Sequence, residues 1–191
     1  MDAYQAVDSY QPVDPMNNPW EAAAHQYTHP PGEYTDSQAT LFVPGVYSRD
    51  QYDMLSILAN IHTRPNPQID IGPVDFSCAM ILCDLTKSDD PIVYANDAFC
   101  YMTGYTLDEV RGKNCRFLQA PGGKVKARST RAAVDERTLR KMRKAVDKRT
   151  EVQLTVRNFK KDGQPFDNIL TMIPIKFKGK WLCMGFQCEK E

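Results

Sequence analysis

The period of the apolar positions changes twice along this chain. In SRDQYDMLSILANIHTRPNP, residues 48–67, Met54, Leu55, Leu58 and Ile61 recur at helical spacing. Ser48 is the expected N-cap, and Pro65 and Pro67 stop the helix. A helix this short must dock on something, either its own domain or a partner. SCAMILCDL (77–85) and DDPIVYAND (89–97) then read as two strands around a polar turn. The period returns to helical after Asn96, which caps a short helix carrying Ala98, Phe99 and Met102 and ended by Gly104. Thr106 opens another, TLDEV, with an acidic first turn. GKNCRFLQ (112–119) follows as a loop and a helical turn, APGG breaks it, and ERTLRKMRKAVDKR is a helix with Leu139, Met142 and Val146 on one face. The last forty residues are strands: EVQLTVRNF, QPFDNILTMIPIKF and WLCMGFQCE, joined by turns at KDG and KGK.

This order, two strands, four helical pieces and three strands, predicts an α+β fold. A five-stranded antiparallel sheet has its helices gathered on one face, and the helix of residues 49–63 forms an N-terminal cap. The expected organisation is a mostly irregular arm at 1–47, rich in Pro, Tyr, Asn and Gln, then cap helix and hinge at 48–75, then the sheet domain at 76–191.

Alternation places three amides among core residues. Val152, Leu154, Val156 and Asn158 share one strand face, and Phe166, Asn168, Leu170 and Met172 share another. Gln187 shares its face with Cys183 and Gly185, which are small and leave room. A buried amide without partners costs about 1–3 kcal/mol. Either these three bond one another, backbone or water, or they meet a buried flat ligand whose edge alternates donors and acceptors.

Composition narrows the chemistry. Lys and Arg number 24 and so do Asp and Glu, so no global field draws the chain to nucleic acid or membrane. No apolar run reaches the roughly 20 residues of a membrane span, and MDAYQAVDSY lacks the apolar stretch of a secretory signal. A cytosolic or nuclear protein with reduced thiols is expected. The six cysteines do not form a chelating pattern: Cys78 and Cys83 fall on opposite strand faces, as do Cys183 and Cys188, and no metal site is expected. All three histidines precede the sheet domain, which argues against a Ser-His-Asp or Cys-His catalytic unit. Cys115, between Asn114 and Arg116, is either a small buried hydrophobe or a thiol placed for chemistry.

GKNCRFLQ resembles the signature of LOV domains, the blue-light-sensing flavin branch of the PAS family. The likeness extends through NDAFCYMTGYTLDEVRGKNCRFLQ, NFKKDG, NILTMIPI and MGFQCE in the family's order over 76–189. The arm, GPVD and SCAMILCDL are further similar to short fungal LOV proteins, which have little beyond a cap and the sensing domain. The resemblance implies a photoreceptor rather than an enzyme. Cys115 then corresponds to the photoactive cysteine, which bonds reversibly to flavin carbon C4a in blue light while N5 gains a proton. Asn158, Asn168 and Gln119 correspond to polar contacts of the ring edge, and Gln187 to the glutamine that faces N5 and turns when N5 is protonated. Arg116 and Arg143 correspond to phosphate-binding arginines, and Asn114, Leu118, Leu170, Ile81 and Ile92 to further pocket positions, the two isoleucines tuning the adduct's lifetime. The insertion around KVKARSTRAAVDE resembles the fungal segment that accommodates an adenine, which favours FAD over FMN. By the same resemblance Asp75 and Cys78, in the hinge GPVDFSC, pass the turning of Gln187 to the cap. A light-state homodimer and a larger LOV-bearing transcription factor, whose light response the protein damps, are the implied partners.

Two features stand outside that likeness. From Lys124 to Arg149 eleven Lys or Arg face Asp135, Glu136 and Asp147; without interleaved aromatics this reads as a solvated face, part of it serving phosphates, and not as a nucleic-acid site. Cys100 is either a half-buried small hydrophobe or an exposed thiol able to form an intermolecular disulfide on oxidation. A flavin redox sensor without a photocycle and a cofactor-free PAS interaction domain are the competing functions.

Overall fold

The computed structural model describes residues 52–191, so the arm at 1–47 and the expected Ser48 cap lie outside the described residues. The first described helix, α1, spans Met54–His62 and is capped by Asp53, whose carboxylate accepts from Ser56 N. Its buried face is Met54, Ile57, Leu58 and Ile61, an i, i+3, i+4, i+7 stripe. Leu55, expected on that stripe, is 47% exposed and Ile57 takes its place, because the sheet beneath selects the face.

The sheet has the strands β1 (Ala79–Asp84), β2 (Ile92–Ala95), β3 (Val152–Phe159), β4 (Pro165–Phe177) and β5 (Lys180–Glu189). Their order is β2-β1-β5-β4-β3, and every pairing is antiparallel. Between β2 and β3 the chain forms α2 (Asp97–Thr103), α3 (Leu107–Val110), a 3₁₀ turn at Cys115–Gln119 and α4 (Glu136–Lys148). The local stops and starts are those the sequence signals. Asn96 accepts from Phe99 N to cap α2, and Gly104 ends it at φ 77°, a left-handed backbone that glycine adopts without strain. Thr106 and Glu109 form a capping box at the start of α3.

Both faces of the sheet are covered. On one, α1 joins Met80, Leu82, Ile173, Ile175, Met184 and Phe186 in a continuous apolar cluster. The cap therefore docks on its own domain. Each of its four buried side chains contributes about 1.5–3 kcal/mol on leaving water. On the other face Ile81, Cys83 and Cys183 pack with Phe99, Val110, Phe117 and Leu118 from the helical segment. Because β1 is buried on both sides, all six of its residues are buried and no alternation is visible in it.

The cap is also held at its exit. Arg64 donates from Nε to Glu151 Oε1 at 2.6 Å and from Nη1 to Ile61 O at 2.7 Å. Glu151, just before β3, further accepts from the backbone N–H of Gln68 at 3.0 Å and of Ile69 at 2.9 Å.

Candidate functional site

The 3₁₀ turn is set by its first residue. The Asn114 side chain accepts from Arg116 N at 3.0 Å, and Phe117 N bonds Asn114 O at 3.2 Å. Phe117, Leu118 and Gln119 are buried, with Phe117 held edge-on by Tyr105 at 4.9 Å between ring centroids. Cys115 is thereby turned toward the sheet, where its sulfur lies 3.3 Å from that of Cys83. The hydrogen bond with the Cys115 sulfur, together with burial, pushes the Cys83 thiol well above its ordinary range. Burial pushes Cys183 up to about 12.

Beside these sulfurs is a cavity of about 60 Å³. Ile81, Leu118, Val156, Leu170 and Met172 give it apolar walls, and Gly185 forms part of its surface. A Cβ on Gly185 would approach Ile81 Cγ1 to 3.1 Å, so glycine here maintains free space. Asn158, Asn168 and Gln187 all reach the cavity, as alternation predicted. They do bond one another: Asn168 Nδ2 donates to Asn158 Oδ1 at 2.9 Å and to Gln187 Oε1 at 2.8 Å. That chain is incomplete. Asn168 Oδ1, Gln187 Nε2 and Gln119 Oε1 are buried without a partner, two acceptors and one donor beside one apolar space. A flat heteroaromatic ring with donors and acceptors on one edge satisfies this set, and the residues fit the flavin implied by the sequence.

The cavity is continuous with an outer cleft of about 350 Å³, the two sharing Cys83, Cys115, Gln119, Met142, Met172 and Cys183. Asn114, Arg116 and Arg143 line this cleft, joined by Arg128 and Arg131 from the insertion. Four guanidiniums around one cleft suit phosphate. Arg131 carries a buried Nε without a partner, and burial and the nearby Arg116 and Arg143 pull its pKa down. Arg116 holds the carboxylate of Asp89 through two bonds, of 2.6 and 2.5 Å, an anion that stands where a phosphate oxygen pair would suit the same fork.

Ile92 is fully buried in the core rather than at the cavity wall. Asp75 turns the hinge by accepting from Ser77 N at 2.8 Å, and Cys78 N bonds Asp75 O at 3.3 Å. Cys78 packs against the α1 cluster, and burial raises its thiol pKa. It therefore belongs to the cap side of the sheet, while the Gln187 amide belongs to the cavity side. Asn96 has a role beyond capping: its Nδ2 donates to Phe76 O at 3.0 Å and Cys78 O at 2.7 Å, pinning the hinge to α2. Cys100 is half-buried on α2, and burial raises its pKa.

Sequence reasoning did not assign Cys83, Arg131, Asp89 or Asn96 to the site. Cys83 had a usable signal, since it shares the parity of Ile81. The others act through contacts distant in sequence.

Residues 77–187 match the PAS domain family. The chain is 43% identical over 162 residues to the blue light receptor lreA of Aspergillus flavus, covering 84% of this chain and 19% of that protein. It is 40% identical over 146 residues to the White collar 1 protein of Neurospora crassa, covering 75% of this chain and 12% of that one. It thus spans less than a fifth of the length of these curated relatives. The crystal structure of the light-state dimer of the fungal blue-light photoreceptor Vivid superposes with a TM-score of 0.72 at 55% identity, over 78% of this chain and 99% of that one. A matching family signature, the sheet order and near-complete coverage of a solved homologue agree: the chain belongs to the PAS-domain family, in its LOV branch alongside Vivid.

Proposed function

We propose that the protein is a blue-light photoreceptor that works without turning over a substrate. The observation that carries this reading is the set of three orphaned amide atoms facing the cavity beside Cys115. A bound flavin supplies absorption of blue light and a ring carbon to which a sulfur bonds reversibly. Asn158, Asn168 and Gln119 hold the polar ring edge, and Leu118, Leu170 and Ile81 exclude water from its faces. Cys115 supplies the sulfur. Gln187, which offers Nε2 to the cavity, exchanges donor for acceptor by turning its amide end when a proton arrives opposite it.

The cofactor we assign is FAD. The outer cleft extends past Arg116 and Arg143 to Arg128 and Arg131, which gives a second phosphate its own cations. The turning of Gln187 passes through β5 and the Asp75–Cys78 hinge to α1, and the altered cap surface supports a light-state homodimer. A larger LOV-bearing transcription factor of the White collar kind is the proposed partner. The compartment is cytoplasmic or nuclear, where thiols stay reduced.

Purified protein is expected to be yellow, to lose its blue absorption on illumination and to recover in darkness. Cys115→Ala keeps the colour and loses the bleaching. A colourless protein, or a Cys115→Ala protein that bleaches and recovers like the parent, overturns the reading. Release of the chromophore by denaturation and its mass decide between FAD and FMN.

A further inference from the structure

The photochemical role uses Cys115 and leaves its sulfur neighbour without a task. The Cys83 and Cys115 sulfurs are 3.3 Å apart, within hydrogen-bond distance, and both line the cavity and the cleft. They reach this position from distant parts of the chain: Cys83 from β1, beside a register shift between Leu82 and Cys83, and Cys115 from the 3₁₀ turn. Closing the gap to the ~2.05 Å of a disulfide needs a movement of little more than 1 Å, within reach of side-chain rotation.

We propose that Cys83 and Cys115 form a reversible oxidation site, closed to a disulfide by a hydroperoxide. The two sulfurs differ in access. Cys115 is partly exposed while Cys83 is buried. Cys115 is therefore the thiol that the peroxide meets first, and Cys83 is the resolving thiol. The Cys115 sulfur attacks one peroxide oxygen; the S–O bond forms, the O–O bond breaks, and the departing oxygen takes the thiol proton to leave as water. Cys83 then attacks the Cys115 sulfenic sulfur; the S–S bond forms and hydroxide leaves, taking the Cys83 proton as a second water. The two sulfurs together lose two electrons and two protons, and hydrogen peroxide receives both. A dithiol reverses the bond by exchange.

A third thiol competes. Cys183 lies directly across from Cys83 in the β1–β5 ladder. Its sulfur donates to Met184 O at 3.9 Å and it is buried, so it lacks the open approach that Cys115 has. The bond thus consumes the thiol the light reaction requires. This consequence rests on the proposed photoreceptor function, whereas the bond itself does not.

The test is a peptide map of the full-length, flavin-loaded protein after graded hydrogen peroxide in darkness, without reductant. The expected product is a Cys83–Cys115 cross-linked peptide lighter by two hydrogens than its parts. The fraction cross-linked should equal the fraction of light-induced bleaching lost, and dithiothreitol should restore both. In Cys83→Ala the same peroxide should drive Cys115 to sulfinic acid, which dithiothreitol does not reverse. A bond between Cys83 and Cys183, sulfinic acid at Cys115 of the parent without a cross-linked stage, or an unmodified Cys115 overturns the proposal. The map is read in the parent protein, so a poorly folded variant does not decide it. Protein that never bleaches yet forms the cross-link refutes the photoreceptor reading and leaves the oxidation site standing.

Discussion

Removing Glu151 should free the cap while leaving the sheet intact. Its carboxylate receives Arg64 and two backbone N–H groups from the segment that leaves α1. The partners are nearly enclosed, with side-chain exposures of 10% for Arg64 and 12% for Glu151. Glu151→Ala takes the counter-charge from the guanidinium, which keeps only the carbonyls of Ile61 and Ile69, and leaves both N–H groups without their acceptor. Breaking a buried pair from one side costs about 3–5 kcal/mol, and residual exposure places this pair at the lower end, near 3 kcal/mol. At about 1.4 kcal/mol per decade, local opening becomes roughly 150-fold more frequent. Hydrogen exchange measured by mass spectrometry should show this gain over 54–69, with peptides of β5 as the internal control. Glu151→Gln keeps an acceptor oxygen and should show a smaller gain. Equal acceleration in cap and β5 would mean that Glu151 supports the whole fold, and no acceleration would mean that the pair contributes nothing; either refutes a local latch. Acid should mimic the mutation. Burial opposes ionisation of Glu151, but bonds from Arg64, Ile69 and Gln68 outweigh it and hold the carboxyl below its ordinary range. A depressed carboxyl stabilises the fold above its unfolded value of about 4.3, and that contribution is lost as pH falls through the lower folded value. The parent cap should therefore loosen below about pH 4, and the Glu151→Ala cap should lack this component.

Gly185→Val should fill the space between Ile81 and Leu170, where even a Cβ meets Ile81 at 3.1 Å. The purified variant should carry at least tenfold less flavin per chain by absorbance, and full occupancy would show that the ring does not lie against Gly185. Asn168→Leu removes the donor shared by Asn158 and Gln187. Each newly unpaired buried oxygen costs about 1–3 kcal/mol, so the urea midpoint of flavin-free protein should fall, and an unchanged midpoint would show that the amide chain adds nothing to stability.

The faces of Asn158 and Asn168 were legible because β3 and β4 carry enough polar residues to reveal parity; in β5, buried throughout from Leu182 to Gln187, the small Cys183 and Gly185 marked the face of Gln187. In β1, where Ala79 to Asp84 are buried on both sides, no polar alternation marks the cavity face; only the shared parity of Cys83 with Ile81 pointed to it, and the contact with Cys115 left no trace in the sequence. The α1 stripe was misplaced by one residue for a related reason. MLSILANI offers five large apolar side chains, and only the sheet beneath decides which are buried. The Arg64–Glu151 pair spans 87 residues, and a long-range ion pair leaves no periodic trace in sequence. The arginines of the cleft were legible singly, but their convergence with Arg131 depends on the path of the insertion.

Gln187 faces the cavity, and its neighbour Phe186 packs in the cluster that seats α1. One peptide unit of β5 therefore serves as both the floor of the cofactor chamber and the bearing surface of the cap. A tilt of that unit acts on both compartments at once, like a partition with a fitting screwed to each side. A signal crossing the molecule has only the thickness of one strand to travel, and its fidelity is limited by how stiffly the neighbouring strands hold that partition.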